Sequence, residues 1–270
     1  MAKAFLIDIA KCSGCYNCQI ACKDEHCGNE WKPYAAAQPD TGQFWMRVVE
    51  HVRGTIPKVK VHYVPTLCGH CARPACVEAC TAGAATQRDD GLVLLDPDIC
   101  KGCGACAEAC PYGVIFHNEA LGISQKCTGC AHLLDNGYVL PRCAEQCPTD
   151  ALRFGEEADF ADELAGAAVL RPESGLAPKV YYRNMPGQFI AGTVFDADAR
   201  EVLIGARCRA LTGGKTYEAT TDEYGDFWFR DLPAGRFDIA IEPKGYRAAY
   251  YYGVESEGGV NLGDIGLVRG

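Results

Sequence analysis

Short hydrophobic runs, separated by glycine, proline and polar turns, recur along the chain and predict a protein rich in strands. Near the N-terminus they predict a strand at residues 5–9 and a hairpin with strands at 44–52 and 58–64. Toward the C-terminus they recur at short intervals, at residues 189–195, 202–210, 215–221, 227–230, 237–242, 247–253 and 261–267. This spacing predicts a small antiparallel β-sandwich over residues 188–270.

Residues 155–170, between these regions, are rich in alanine and acidic side chains. Phe160, Leu164 and Ala168 recur at helical spacing, and Arg171-Pro172 ends the pattern. We therefore expect a helix that packs on the preceding domain with a solvated acidic face. A linker follows it, and the two together cover residues 156–187.

Cysteine has the most regular spacing in the sequence, since sixteen of the eighteen cysteines fall into four runs. The runs are Cys12, Cys15, Cys18, Cys22; Cys68, Cys71, Cys76, Cys80; Cys100, Cys103, Cys106, Cys110; and Cys127, Cys130, Cys143, Cys147. Three cysteines at every third position, with a fourth followed by proline, are typical of [4Fe-4S] ligation. Each run supplies four thiolates, so four [4Fe-4S] clusters are predicted.

Part of the chain is duplicated. Phe5-Leu-Ile-Asp8, followed by Cys12, aligns with Val93-Leu-Leu-Asp96, followed by Cys100. The repeat predicts two bacterial-ferredoxin-like modules within residues 1–155 and an α+β fold. The second and third runs are close enough to form one module, so the first and fourth form the other. Residues 31–67, with the hairpin, are an insertion at the surface, which either faces a partner or is a plain excursion.

The fourth cysteine of such a run commonly binds the cluster of the partner run. If that crossing holds here, four ligand sets follow. They are Cys12, Cys15, Cys18 with Cys147; Cys127, Cys130, Cys143 with Cys22; Cys68, Cys71, Cys76 with Cys110; and Cys100, Cys103, Cys106 with Cys80.

Thiolate quartets also bind zinc, and the rival interpretation is a zinc-stabilised scaffold or adaptor whose working part is the sandwich. Structural zinc usually takes two C-x-x-C pairs separated by a longer loop. Runs of three closely spaced cysteines favour iron-sulfur clusters instead. A disulfide framework is not expected, because neighbouring thiols in one tight loop cannot pair across a core.

Other candidate residues lie beside the ligands. Lys11, Lys101 and Lys126 adjoin ligand cysteines, where a positive charge could offset reduced clusters, although each is equally consistent with an exposed lysine. His70, inside Cys68-Gly-His-Cys71, is a candidate donor to a cluster sulfur. The remaining candidates are predicted to be structural: His26, Cys27 and Cys208.

Net charge and the absence of several sequence motifs exclude some classes of function. A net charge of −9 argues against a nucleic-acid partner, which would require a basic face. We find no nucleophile with a base, phosphate loop, or flavin or nicotinamide fingerprint, so no catalytic residues are predicted. The N-terminus runs into a strand without a signal peptide, and no apolar run is long enough to span a membrane. A cytoplasmic location is expected, with export alongside a partner as the alternative.

The ordered set of four motifs, with Cys-x-His-Cys in the second, resembles the four-cluster electron-transfer subunits of the dimethyl sulfoxide reductase family of molybdopterin oxidoreductases. That resemblance covers about residues 1–155. It implies a large catalytic partner holding molybdenum or tungsten, an external electron donor or acceptor, and a heterodimer. An oxyanion or sulfur-compound reductase is one alternative for that partner.

Further motifs are similar to the small subunits of pyrogallol-phloroglucinol transhydroxylase and resorcinol hydroxylase. They are Asp24-Glu25-His26, Asn29-Glu30-Trp31, Tyr34, Pro65-Thr66, the stretch from Cys127 to Asp135, and Val180-Tyr-Tyr182. The C-terminal domain resembles carboxypeptidase-regulatory-like or transthyretin-like sandwiches, as in Thr221-Asp-Glu-Tyr-Gly225. The transhydroxylase subunit has lost one cysteine quartet, whereas this chain keeps all four. The resemblance therefore implies a net redox reaction on a polyhydroxylated aromatic compound, with an external electron partner.

Overall fold

The computed structural model describes residues 2–270, which divide into two units. The first unit comprises the chain up to Glu50 together with His62–Met185. The second comprises His51–Val61 and Pro186–Gly270. The segment 51–61 therefore belongs with the C-terminal unit, although both of its flanks belong with the first.

Short elements alternate with the cysteine loops in the first unit. Its strands are β1 (Lys3–Asp8), β4 (Ala85–Gln87), β5 (Val93–Leu95), β6 (Ile115–Asn118), β7 (Ile123–Lys126), β8 (Leu152–Glu156) and β9 (Val180–Arg183). Its helices are α1 (Asn17–His26), α2 (Ala75–Glu78), α3 (Ala105–Glu108), α4 (Ala131–Asp135), α5 (Arg142–Glu145) and α6 (Ala161–Leu164), with 3₁₀ turns at Glu157–Phe160 and Pro172–Ser174. Strands β2 (Arg47–Thr55) and β3 (Lys58–Thr66) form a hairpin that runs from this unit into the second.

A three-stranded sheet of order β8-β1-β9 supports the first unit. Strand β1 is central, antiparallel to β8 and parallel to β9, with Phe5 opposite both Phe154 and Val180. Both faces of β1 are covered, because Phe5 and Ile7 join the core around the cysteines while Leu6 packs against Phe160. This double burial explains why β1 is an unbroken apolar run.

Two small hairpins lie between the later cysteine runs, whereas β1, at the first copy of the predicted repeat, pairs with β8 and β9. Strand β4 pairs with β5 in register, Ala85 opposite Leu95, and β6 pairs with β7, Ile115 opposite Lys126. The third cysteine of each run is the second residue of a helix. Those residues are Cys18 in α1, Cys76 in α2, Cys106 in α3 and Cys143 in α5.

Seven strands form the second unit: β10 (Gln188–Asp196), β11 (Arg207–Thr212), β12 (Lys215–Thr220), β13 (Asp226–Leu232), β14 (Arg236–Ile241), β15 (Ala249–Glu255) and β16 (Val260–Leu267). They make two sheets, of order β13-β10-β16 and β12-β11-β14-β15. Alternate residues such as Ile190, Phe227 and Ile239 fill the core between the sheets and are almost completely buried.

The outer part of the β2–β3 hairpin packs within the second unit. Lys58 is buried and pairs with Asp226, and Lys60 Nζ lies 4.7 Å from the ring centroid of Trp228. Arg53 Nη1 donates to the Gly187 carbonyl at 2.6 Å. The expected surface insertion is therefore partly buried, because its tip supplies charged side chains that pair with β13 and the start of β10.

The predicted long helix over residues 155–170 is wrong in extent. Its first residues belong to β8, and only one 3₁₀ turn and the four-residue α6 follow, before Gly166 adopts a left-handed φ of 87°. Its acidic face is not simply solvated, because Glu163 pairs with Arg153 and Arg183. These ion pairs and the packing of Phe160 hold a shorter turn in place of a regular helix.

Two predictions for the sandwich also need correction. The second strand begins at Arg207, since Val202 makes only an isolated bridge to Phe195. The sandwich is not wholly antiparallel, because β16 pairs in parallel with β10, Ile190 opposite Val260. The last strand returns beside the first strand of the sandwich in the same direction, and a parallel pair results.

Candidate metal centres

The first predicted ligand set surrounds one cavity. Cys12, Cys15, Cys18 and Cys147 line it together with Tyr16 and Pro65. Burial, together with the charges of Cys12 and Cys147, raises the pKa of Cys18 to about 12. The loop before α1 and the segment after α5, at opposite ends of the first unit's sequence, therefore converge here.

The second set is the most enclosed. Cys22, Cys127, Cys130 and Cys143 are all buried. Burial raises the pKa of Cys143 well above its usual value, and the charges of Cys130, Cys22 and Cys127 act in the same direction. Contacts between α1 and α5 bring Cys22 and Cys143 together.

The third set surrounds a second cavity, lined by Cys68, Cys71, Cys76 and Cys110. Burial, together with the charges of the other three cysteines, raises the pKa of Cys71 to about 12. Three of these residues precede or begin α2, whereas Cys110 follows α3.

The fourth set comprises Cys80, Cys100, Cys103 and Cys106. Burial raises the pKa of Cys106, which is also raised by Cys100 and Cys80 and lowered by a hydrogen bond with Ser124. Cys103 lies in the same loop and is exposed. The structure thus brings three members of this set within electrostatic reach of one another and leaves Cys103 at the surface.

Backbone N–H groups point at several of these sulfurs. Ala85 N donates to Cys80 Sγ at 3.3 Å, and Leu152 N donates to Cys147 Sγ at 3.4 Å. In both runs the sulfur of the fourth cysteine thus accepts a hydrogen bond from the backbone N–H five residues later. Gly129 N donates to Cys127 Sγ at 3.3 Å. Such bonds stabilise thiolates and are a means by which proteins set cluster potentials.

Neighbouring sets lie close enough to act on one another electrostatically. The charge of Cys18, in the first set, raises the pKa of buried Cys22, in the second, after the effects of burial and of its own set. Burial and then the charge of Cys68, in the third set, raise the pKa of Cys127, in the second, to about 11. The third set meets the fourth, since Cys106 contributes to the raised pKa of Cys76. The sets are therefore neighbours in the order first, second, third and fourth, and the first and fourth sets each contain one exposed cysteine, Cys15 and Cys103.

His70 and Lys126 both lie against Val93, in β5. Val93 N donates to His70 Nδ1 at 2.9 Å, and Lys126 Nζ donates to the Val93 carbonyl. Burial and the charge of Lys126 lower the pKa of His70 well below its usual value, so the ring is neutral with its proton on Nε2. That Nε2 is buried and finds no hydrogen-bond partner within residues 2–270.

The other predicted positions differ in exposure. Lys11 and Lys101 are exposed, whereas Lys126 is buried. Cys208 is completely buried in the sandwich core, where burial raises its pKa to about 12. Cys27 lies near Pro39 and Asp40.

A polar network beside the second set was not identified from the sequence. His26 Nε2 lies 4.0 Å from Cys130 Sγ. His132 Nε2 lies 2.9 Å from Glu25 Oε1, and Arg142 Nε donates to the other oxygen of the same carboxylate. Burial lowers the pKa of His26 to about 3, so its ring is neutral. Cys130-Ala-His132 was the available signal, since a histidine two residues after a ligand lies beside the same site.

The donor chemistry of these sites fits iron-sulfur clusters. Cysteines from different runs lie together in these sets, and burial raises the pKa values of many of them, so positive metal charge is needed to hold them as thiolates. The orphaned Nε2–H of His70 is a donor suited to an inorganic sulfide. No three histidine, cysteine or acidic side chains in the described residues are arranged around a point where a single metal ion could sit.

Comparisons with family models find two matches. A 4Fe-4S dicluster domain matches residues 59–157, and a carboxypeptidase regulatory-like domain matches residues 190–267. In residues 2–270 no helix combines the length and hydrophobicity needed to cross a membrane.

Similar proteins include the pyrogallol hydroxytransferase small subunit of Pelobacter acidigallici, which is 39% identical over 89% of this chain and 90% of its own length. A tetrathionate reductase subunit of Salmonella typhimurium is 34% identical over 69% of this chain and 74% of its own. One polypeptide of the anaerobic dimethyl sulfoxide reductase of Escherichia coli is 34% identical over 62% of this chain and 80% of its own.

Proposed function

Because this protein belongs to the iron-sulfur electron-transfer subunits of the dimethyl sulfoxide reductase family of molybdopterin oxidoreductases, we propose that it relays single electrons through four [4Fe-4S] clusters to or from a large molybdopterin subunit. The four cysteine sets described above are the proposed ligands. A bound [4Fe-4S] cluster gains or loses one electron at a time.

One observation supports this proposal: cysteines from different runs lie together, and the predicted quartets neighbour one another in the order first, second, third and fourth. The first and fourth quartets each reach the surface through one cysteine, Cys15 or Cys103, whereas all four cysteines of the second are buried. An arrangement with two exposed ends and an enclosed middle suits entry of an electron at one end and exit at the other. One end would face the catalytic subunit and the other an external donor or acceptor.

We also propose that the catalytic partner acts on polyhydroxylated aromatic compounds. Support comes from similarity to the pyrogallol hydroxytransferase small subunit over nearly the whole chain, including the sandwich. The two reductase subunits match about two thirds of this chain or slightly less. Since all four quartets are present, a net oxidation or reduction with external electrons is favoured over internal hydroxyl transfer.

The test is anaerobic purification of this chain, carrying an affinity tag, from its own cells. We expect a large pterin-containing polypeptide to co-purify, and the complex to turn over pyrogallol or resorcinol with stoichiometric transfer of electrons to an external dye. Turnover of tetrathionate or a sulfoxide alone would replace the aromatic assignment. A colourless complex that does not bleach with dithionite would remove the electron-transfer proposal.

A further inference from the structure

Lys126 is a buried cation located between the second and third quartets. It is 2% exposed, and its Nζ donates to the carbonyls of Val93 and, at 2.9 Å, Cys127. Val93 belongs to the hairpin between the second and third cysteine runs, whereas Cys127 begins the fourth run. Lys126 therefore connects segments of the two predicted modules.

The charge of Lys126 reaches both quartets. Val93, whose carbonyl accepts a hydrogen bond from Lys126 Nζ, lines the cavity of the third quartet together with Cys76. Burial raises the pKa of Cys76, and the charge of Lys126 acts against that rise. Burial raises the pKa of Cys127, in the second quartet, and Lys126 again opposes the rise. A cation that favours thiolate in both quartets is close enough to act electrostatically on whatever each quartet binds.

No carboxylate within residues 2–270 forms an ion pair with Lys126. A buried ammonium without a counter-ion is costly, and two carbonyl groups compensate only in part. Clusters held by four thiolates carry net negative charge, which increases on reduction. The two adjacent quartets are thus the natural source of the missing counter-charge.

We propose that Lys126 acts as a fixed positive charge that raises the reduction potentials of the two clusters bound by the second and third quartets. An added electron is then more stable on these two clusters, at the junction between the modules. The proposal rests on the proposed four-cluster function. Its physical basis is that reduction adds negative charge, which a nearby cation stabilises strongly in a poorly solvated interior. Lys126 acts through this field and takes no proton or electron itself.

Lys101 offers a matched control. It also adjoins a ligand, Cys100, but it is exposed, so water and salt screen its charge. Sequence position beside a ligand is the same for both lysines, and only burial differs. An effect of Lys126 that is absent for Lys101 therefore reports on the buried location.

The experiment is a potentiometric titration of the full chain, purified anaerobically with its clusters and followed by electron paramagnetic resonance. In Lys126→Met we expect the equilibrium constant for reduction of two clusters to fall at least tenfold, which is about 59 mV for a one-electron couple. The other two clusters should change less than threefold. Lys126→Arg, which keeps the charge, and Lys101→Met should both leave all four within about threefold of the wild type.

Every outcome decides the proposal. An iron-replete Lys126→Met protein with four unchanged potentials would overturn it, as would a Lys126→Arg protein that behaves like Lys126→Met in potentials or iron content. Loss of iron from Lys126→Met but not from Lys126→Arg would support it, because the retained charge then maintains the sites. A wild-type chain lacking four clusters would instead refute the proposed function, so the two failures are distinguishable.

Discussion

Removing two cysteines from one quartet should release no more iron than removing one. Cys22 and Cys143 come from the first and fourth runs, yet α1 and α5 place them in the same quartet. Each is at least 94% buried, so solvent is poorly placed to replace a missing thiolate. We therefore expect Cys143→Ala to eliminate one whole cluster.

The expected size follows from counting clusters. Four cubes hold about sixteen irons per chain, so Cys143→Ala should retain about twelve, and Cys22→Ala combined with Cys143→Ala should also retain about twelve. If each run instead bound its own cluster, the double variant would fall to about eight. Iron and acid-labile sulfide per chain, measured on anaerobically purified protein, distinguish these values.

A second double variant removes two cysteines that belong to the same run but to different quartets. Cys18 and Cys22 lie in the same helix and the same run but in different quartets, so Cys18→Ala combined with Cys22→Ala should leave about eight irons. Cys27→Ala should keep all of them. About twelve irons in the Cys18 and Cys22 variant, together with eight in the Cys22 and Cys143 variant, would refute the crossed pairing.

Three further variants test local structure. Gly129→Ala should lower stability by about 1–2 kcal/mol, because Gly129 has a φ of +65° and an added Cβ would lie 2.8 Å from Leu92; unchanged chemical denaturation would count against this. Tyr182→Phe should cost about 1 kcal/mol in the same assay, since its buried hydroxyl donates to the Pro65 carbonyl at 2.9 Å, and a neutral result would contradict this value. Backbone and side-chain hydrogen bonds lower the pKa of Asp196 from 3.8 to about 2, so its stabilising contribution is present above pH of about 4 and lost as the pH falls toward 2. Thermal melts of Asp196→Asn should lack that acid-dependent loss, and pH curves parallel to the wild type would show the reasoning to be wrong.

The grouping of most of the cysteines could be predicted because ligand spacing is a local property of the sequence, and their role as ligands stays a prediction. Tight C-x-x-C loops, and the third cysteine at the start of a short helix, require only nearby residues. The family resemblance rested on the same motifs and is confirmed by the relatives and by the 4Fe-4S dicluster match.

Long-range packing was less predictable. Val180–Arg183 was assigned to a linker, yet it forms β9 beside β1, because a short apolar alternation gives no indication of its partner strand. Lys101 and Lys126 were indistinguishable in sequence, since each adjoins a ligand. Their different burial depends on β5 and β7, which enclose Lys126 and leave Lys101 in solvent.

The helix prediction failed for a related reason. Alanine and acidic residues at helical spacing favour a helix in isolation, but tertiary contacts decide the outcome here. Glu157 forms an ion pair with Lys179, and Glu163 forms one with Arg153. Side chains expected to face solvent therefore pair with residues in or next to neighbouring strands. Charge pairing across strands cannot be assigned from one-dimensional spacing.

The most direct test of the central claim is the metal and sulfide content of the anaerobically purified wild-type chain. Four cubane clusters predict about sixteen iron atoms and about sixteen acid-labile sulfides per chain, with little zinc. About four zinc atoms per chain and no labile sulfide would contradict the account, because quartets filled with zinc could not carry electrons.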